Sequence, residues 1–265
     1  MKELNGRELA GYVKERQSHQ AKALKSRKMV PKLAIFYDND SPVIAKYMQL
    51  KKTYGADIGV EVEITKITPD DAVKKIQTAA SNAKVTGIIV QLPLKDVSMD
   101  VLDLIPLDKD VDGLRGESDT ATAMAIHWLL TGYGIDLFDK KIAIVGRGKL
   151  VGAPLIKMWR DSNYDVTVFA RGSKLEDLVN YDVVVTATGV PGLIKSEMLK
   201  NGAVVVDAGT ASEGGVIVGD LDEAARTRDD LTLTPKIGGV GPLTVAMLFE
   251  KVLPAQGLHD ITKKR

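Results

Sequence analysis

Apolar positions along the chain follow two rhythms in alternation. A charged amphipathic stretch from Glu3 to Leu24 is followed by the apolar run Lys32–Phe36, a helical pattern from Pro42 to Tyr54 and a strand-like run from Ile58 to Ile67. Another helical pattern, Pro69–Ala80, leads to the strand-like Gly87–Leu92 and then to Val97–Ile105. Strands separated by helical patterns of this length indicate βαβ units around a parallel sheet. After a charged, glycine-punctuated loop from Asp108 to Gly116 the rhythm resumes. A helix is expected over Asp119–Leu130, then four short runs, Lys141–Val145, Tyr164–Ala170, Asp182–Ala187 and Ala203–Asp207. Their Val-rich composition suits strands buried on both faces. Near the end, Leu243, Ala246, Met247, Phe249 and Val252 recur at helical spacing, which predicts a last helix packed back on the first half. The expected fold is α/β in two domains. Residues 1–115, completed by a C-terminal helix over 242–265, form one, and a Rossmann-like dinucleotide-binding domain over 116–241 forms the other.

Composition narrows the chemistry. With 265 residues, 45% hydrophobic and 27% charged, the chain can bury a substantial core. Its 36 basic and 35 acidic residues are intermixed, so no electrostatic footprint points to a nucleic-acid or membrane partner. The absence of cysteine excludes disulfides, thiolate metal sites and a cysteine nucleophile. The three histidines, His19, His127 and His259, lie far apart, and no metal site is expected. No apolar run has the length of a membrane span, and Met1–Asn5 lacks a signal peptide's apolar segment, so a cytoplasmic location is expected.

Gly146, Gly148 and Gly152 follow the strand ending at Val145 and open a helix, where a dinucleotide pyrophosphate meets helix amides. A ligand-free strand-to-helix turn carries the same glycines, so context has to favour the binding reading. The next strand ends at Phe169-Ala170-Arg171, about 20 residues on, where NAD-preferring folds place an acidic residue. A guanidinium there suits a 2′-phosphate, with Arg147 as a second positive contact, so NADP is the expected cofactor; a solvated strand end is the alternative. Thr186–Gly189 and Asp207–Thr210 each end a Val-rich strand in a small turn at the carboxyl edge of the sheet. That edge suits a nicotinamide-ribose end, although turn chemistry alone would account for either segment.

In the first half, Tyr47 and Lys51 are four apart and share a helix face. A lysine in a partly buried cleft can lose its proton and serve as acid or base, whereas an exposed pair would be a solvated face. Gln91 in Val90-Gln91-Leu92-Pro93-Leu94 is a polar side chain at a strand end, Asp112 sits in the junction loop, and Ile237–Thr244 is a glycine-rich loop before the last helix.

The ordered set Tyr47-x-x-x-Lys51, Val90–Leu94, Lys109–Gly113, Gly146-Arg147-x-x-x-Val151-Gly152-x-Pro154 and Gly238–Thr244, with the opening Leu4–Ala10, resembles the methylenetetrahydrofolate dehydrogenase/cyclohydrolase family over nearly the whole chain. The resemblance implies NADP-dependent oxidation of 5,10-methylenetetrahydrofolate to the methenyl compound and its hydrolysis to 10-formyltetrahydrofolate. It further implies a cytoplasmic homodimer acting on tetrahydrofolate one-carbon derivatives that serve purine biosynthesis. Carried over by position, Lys51 is the general acid/base, Tyr47 packs on and orients the folate, Gln91 positions Lys51, and Asp112 anchors the pterin. Val90, Leu92, Ile237, Gly238, Gly239, Val240, Gly241 and Pro242 approach the substrate. Gly146, Arg147, Gly148, Val151, Gly152, Arg171, Thr188, Gly189 and Thr210 hold the cofactor.

The chain departs from the family pattern at three places. Ile44 stands where a Ser usually lies three residues before the tyrosine; Thr120–Ala125 keeps only the Thr of a proline- and cysteine-containing stretch; and Lys236-Ile237 replaces a Val-Pro pair. These differences are expected to favour the dehydrogenase over the cyclohydrolase. Two other readings are a NADP-dependent dehydrogenase of another pterin or small carbonyl substrate, which would not need Asp112, and a non-catalytic cofactor-binding protein. The joint presence of Tyr47, Lys51, Gln91 and Asp112 speaks against the second.

Overall fold

The computed structural model describes residues 2–116, 118–209, 211–213 and 216–253. The chain divides into two compact units, one comprising Met1–Tyr12 with Asp119–Thr244 and the other Val13–Ser118 with Val245–Arg265.

The chain opens with β1 (Lys2–Glu3) and α1 (Gly6–Ser26), then alternates through β2 (Lys32–Tyr37), α2 (Pro42–Ile58), β3 (Glu61–Lys66), α3 (Ala72–Ser81) and β4 (Val85–Val90). Strands β2, β3 and β4 form a parallel sheet in the order β3-β2-β4. The central strand buries Leu33, Ala34, Ile35 and Phe36 in succession, as a strand covered on both faces must. On α3, Ala72, Ile76 and Ala79 recur at i, i+4 and i+7 and are all buried, which places that helix on the sheet. Burying a side chain such as Ile76 contributes roughly 1.5–3 kcal/mol.

The strand expected from Ile58 begins three residues later. Ile58 is the last residue of α2, and Gly59, at φ 83°, ends the helix in the left-handed conformation with its amide directed at Ala56 and Gly55 carbonyls. Apolar Ile58 is buried against the core from the helix, and hydrophobicity alone does not separate the two states at this position.

The second half runs through α4 (Ala121–Gly132), β5 (Ile142–Val145), α5 (Gly152–Asp161), β6 (Val166–Phe169), β7 (Val183–Thr186) and β8 (Val204–Asp207). It continues with the antiparallel hairpin β9 (Ala211–Glu213) and β10 (Val216–Val218), α6 (Glu223–Arg226), β11 (Thr232–Leu233) and α7 (Val240–Val252). A six-stranded parallel sheet has the order β1-β11-β8-β7-β5-β6. Its core includes fully buried Ile142, Ala143, Ile144, Val183, Val184 and Val185. The two-residue strands β1 and β11 extend this sheet at one edge, and neither is long enough to carry a periodic signal.

The last helix starts at Val240, two residues ahead of its expected beginning, because Pro242 falls in the first turn, where its missing N–H leaves no hydrogen bond unmade. Residues 254–265 of the expected helix lie outside the described residues. In the unit that contains the end of α7, Phe249 stacks on Tyr54 with ring centroids 5.0 Å apart. Buried Gln17 donates from Nε2 to the Ala246 carbonyl at 2.9 Å and accepts from the Tyr54 hydroxyl at 2.8 Å. This polar junction fixes α1, α2 and α7 to one another without leaving a buried amide unpaired.

Candidate active site

In the three-stranded sheet, β3 pairs on one side of β2 and β4 on the other. Connections that diverge in this way open a crevice at the carboxyl ends of the strands. The polar side chains singled out in the sequence gather near that end. Gln91 is the first residue after β4, and its amide donates to the Phe36 carbonyl at 2.8 Å, which continues the ladder by one step. Its side chain is fixed at both ends: Nε2 donates to the Leu92 carbonyl at 3.0 Å, and Oε1 accepts from Lys51 Nζ at 2.6 Å.

Lys51 comes from α2, and burial pushes its ammonium below the usual lysine range, an effect that the Asp112 carboxylate opposes. Burial in turn pushes Asp112 upward, against the lowering influence of Lys51. Both members of the pair are therefore biased toward their neutral forms. Tyr47 lies one turn before Lys51 on α2 and is 40% exposed, leaving its ring face available to a flat ligand. Val90 is buried behind Gln91, Leu92 is half-buried, and the Leu92–Pro93 peptide is cis.

Two residues that brace this site were not among the candidates of the sequence, although Asp110 lies within the Lys109–Gly113 motif. Asp110, not Asp112, holds the junction loop: its carboxylate accepts from the amides of Gly113 (3.0 Å), Leu114 (3.3 Å) and Arg115 (3.1 Å). That leaves the Asp112 side chain, two residues on, without a structural hydrogen bond among the described residues. Asp38 does the same after β2, accepting from the amides of Lys95, Asp96 and Val97 at 2.7–2.8 Å and so tying down the segment beyond Pro93. Those amides hold the Asp38 carboxyl below the usual carboxylate range against the burial that pushes it up.

The six-stranded sheet has its own switch point at β5, which pairs with β6 on one side and β7 on the other. The turn beyond β5 is the glycine segment. Gly146 sits at φ 99°, and a Cβ on it would lie 2.6 Å from the Ala187 carbonyl oxygen. A Cβ on Gly152 would lie 2.2 Å from the Gly146 carbonyl oxygen, so this glycine serves the closure of the turn. Gly148 differs, since a Cβ there would meet no atom within 4 Å. The protein itself gives no packing reason for a glycine at 148, which suits close approach of a ligand to backbone. Arg147 is exposed, and Val151 occupies the N-cap position of α5 without a side-chain cap.

At the end of β6, Arg171 is exposed in a turn closed by Ser173, whose Oγ accepts from the Ala170 amide at 3.0 Å and whose own amide donates to the Ala170 carbonyl at 2.9 Å. Arg171 has no acidic partner among the described residues, and Ser173, which no motif marks, stands two residues on in the same turn. Beyond β7, the Thr188 amide donates to Asp220 Oδ2 at 2.8 Å and that of Val190 to Oδ1 at 3.0 Å, with Gly189 between them at φ 68°. Thr210 lies outside the described residues.

The Ile237–Pro242 loop belongs to the unit of the six-stranded sheet. Ile237 is 66% exposed, Val240 is buried, and Gly238 sits at φ 100°. The N-terminal Gly6 explains part of the loop's shape: a Cβ there would come within 1.8 Å of the Gly239 carbonyl oxygen, and the Arg7 amide donates to the Gly238 carbonyl at 3.0 Å. Of the departures from the family pattern, Ile44 is buried in α2, and Thr120 caps α4 by accepting from the Ala123 amide at 3.3 Å. Ala121, Ala123 and Ala125 are buried behind it.

Comparison with known proteins identifies the family of both halves of the chain. Residues 4–112 match the family model described as tetrahydrofolate dehydrogenase/cyclohydrolase, catalytic domain, and residues 120–259 match that of the NAD(P)-binding domain. The chain is 36% identical to the bifunctional protein FolD of Hydrogenobaculum sp., over 95% of this chain and 97% of that protein. It superposes with a TM-score of 0.89 and 32% identity on the bifunctional methylenetetrahydrofolate dehydrogenase/cyclohydrolase FolD of Campylobacter jejuni, covering 96% of this chain and 97% of that one. The Trypanosoma brucei methylenetetrahydrofolate dehydrogenase-cyclohydrolase, solved with NADP cofactor and inhibitor, matches with a TM-score of 0.85 at 28% identity, covering 94% of this chain and 95% of that one. With both family models matched in order and relatives of this identity aligned nearly end to end, the chain belongs to the tetrahydrofolate dehydrogenase/cyclohydrolase family.

Proposed function

We infer that this protein oxidises 5,10-methylenetetrahydrofolate to the 5,10-methenyl compound with NADP and hydrolyses that product to 10-formyltetrahydrofolate. The observation that carries the reading is the Lys51–Gln91 hydrogen bond at 2.6 Å beside the Asp112 carboxylate, in a setting that depresses the lysine. Bound NADP supplies the acceptor for the hydride that leaves the methylene carbon. The residues present fit that dinucleotide: Gly148 is open to a diphosphate, and Arg171, with Ser173 beside it, offers an uncompensated guanidinium to a 2′-phosphate. Arg147 and the Thr188–Gly189 turn, with Thr210 as the family resemblance implies, complete the cofactor set.

Hydrolysis falls to Lys51. As the free amine it takes a proton from the water that adds to the methenyl carbon, and as the ammonium it returns that proton to N5 as the carbon–N5 bond breaks. The hydroxyl proton of the adduct leaves to solvent, which gives the formyl group. A depressed lysine is suited to this work, since a cationic substrate and a permanent ammonium would repel. Gln91 holds the amine in line, Tyr47 offers a ring face to the folate, and the Asp112 carboxylate accepts from the two donors of the pterin's amino-pyrimidinone edge. A dehydrogenase of small carbonyl substrates would not need Asp112, whereas a pterin offers its carboxylate two donors.

The expected assay result is formation of NADPH from NADP and 5,10-methylenetetrahydrofolate by the purified protein, followed by loss of the methenyl chromophore. No rate with NADP or NAD would sink the reading. Among the described residues no helix is long and apolar enough to cross a membrane. A homodimer is part of the proposal: β9 and β10 pair with each other alone among the described strands and leave a backbone edge for a second copy. A cytoplasmic location and a supply of formyl groups to purine biosynthesis complete it, as the family resemblance implies.

A further inference from the structure

The carboxyl edge of the six-stranded sheet conceals a charged cluster that the cofactor reading does not use. Asp207 ends β8, and its Oδ1 accepts from the Thr186 hydroxyl (3.3 Å) and the amides of Gly209 (3.1 Å) and Asp220 (3.0 Å). Its Oδ2 accepts from the Leu221 amide at 3.2 Å and from the Arg226 guanidinium. Asp220 is fully buried and accepts from Thr188 and Val190. Two glycines close over the carboxylates: a Cβ on Gly209 would lie 2.1 Å from Asp220 Oδ1, and one on Gly219 would lie 2.1 Å from Asp207 Oδ2. Of the two buried carboxylates only Asp207 meets the guanidinium, whose Nη1 is itself buried without a hydrogen-bond partner among the described residues.

Stability alone does not account for this arrangement. Buried charges carry a desolvation penalty, and a well-packed apolar substitute commonly seals a fold at least as well. An apolar plug, however, accepts no hydrogen bonds and could not fix the backbone of adjacent turns. The cluster does so, and the turns it fixes adjoin the glycine segment. Asp207 holds its own turn at Gly209 and the amide of Asp220; Asp220 holds Thr188 and Val190; and the Ala187 carbonyl, at the head of that turn, is the atom that Gly146 packs against.

We propose that Asp220 is a positioning residue for the dinucleotide, fixing the Thr188–Val190 turn through its backbone amides while Asp207 and Arg226 hold Asp220 in place. This rests on the reading of Thr188 and Gly189 as cofactor-binding. The carboxylate acts through backbone, and the feature it controls is the distance between that turn and the Gly146 turn.

The test is Asp220→Asn. A carboxamide of the same shape presents one acceptor to two amides, so either Thr188 or Val190 then faces an NH2 group. The Kd of NADP, measured by calorimetry, and its KM are expected to rise about tenfold, the scale of one lost ionic hydrogen bond. The KM for methylenetetrahydrofolate and the rate of methenyl hydrolysis, which needs no dinucleotide, are expected to stay at the parent's values. Arg226→Lys keeps a charge opposite Asp207 but loses the planar fork, so a smaller rise in the same constants is expected, and it carries the test where the Asn variant does not fold. NADP constants equal to the parent's in either folded variant overturn the proposal, as does a parallel loss of NADP affinity, folate affinity and hydrolysis, which would mark general loosening of the fold. A parent that binds NADP yet oxidises no folate removes the functional reading, while the calorimetric comparison still judges Asp220.

Discussion

Replacing Lys51 with Met keeps most of the aliphatic stem and removes the amine, which separates catalysis from packing. Two contributions to stability oppose each other. The lost hydrogen bond to Gln91 Oε1, 2.6 Å long and ionic whenever the amine is protonated, is worth roughly 1.5–3 kcal/mol. Against it, burial depresses the Lys51 ammonium below its ordinary value of 10.5, so the folded state disfavours the proton that the unfolded chain carries. The sign follows from linkage: the stability associated with the depressed group is fully present above pH 10.5 and is lost as pH falls through the folded value, so at neutral pH the parent bears this penalty and the variant does not. Because the two have opposite signs, the Tm of the variant relative to the parent's is expected to fall as pH rises from neutral toward 10.5, where the parent's penalty disappears. Catalysis has no such compensation. Loss of a positioned acid/base costs about 10²- to 10⁴-fold, read as the rate of methenyl hydrolysis on enzyme that still binds NADP with the parent's affinity. In the parent that rate should rise as pH passes through the lowered pKa of Lys51 and then level off; in the variant the rising limb should vanish. Equal hydrolysis in parent and variant, or an identical pH profile, would refute the role given to Lys51.

Arg171→Ser should raise the KM for NADP about tenfold or more with little change for NAD, as expected when a charged hydrogen bond to a phosphate is lost; an unchanged ratio of the two would remove the 2′-phosphate argument. Gly146→Ala places a methyl group 2.6 Å from the Ala187 carbonyl at φ 99°, so chemical denaturation should show a loss of about 1–3 kcal/mol together with weakened NADP binding. Thr120→Ala removes the N-cap of α4, for a loss of about 1 kcal/mol seen as a Tm lower by roughly 2–4 °C, with the KM for NADP unmoved.

The element order was written in the pattern of apolar residues. Fully buried runs such as Ile142–Val145 and Val183–Val185 read as strands, and Ala72, Ile76 and Ala79 as one helix face, because side-chain period is a local property of the backbone. The same locality fixed the turn at Gly146 and the pairing of Tyr47 with Lys51 on one face. It failed at Ile58, where a helix end and a strand start are equally apolar, and at β1 and β11, whose two residues take their conformation from the sheet edge they join. Only tertiary structure decided what the polar residues do. Asp110 and Asp112 are two apart and chemically identical, yet one is saturated by three amides and the other is left to Lys51. Asp207, Asp220 and Arg226 lack a motif because their partners, backbone amides for the two carboxylates and the Asp207 carboxylate for Arg226, come from distant segments. The charge state of Lys51 likewise depends on how much water the fold removes around it, and desolvation is set by everything packed nearby and by no residue's place in the sequence.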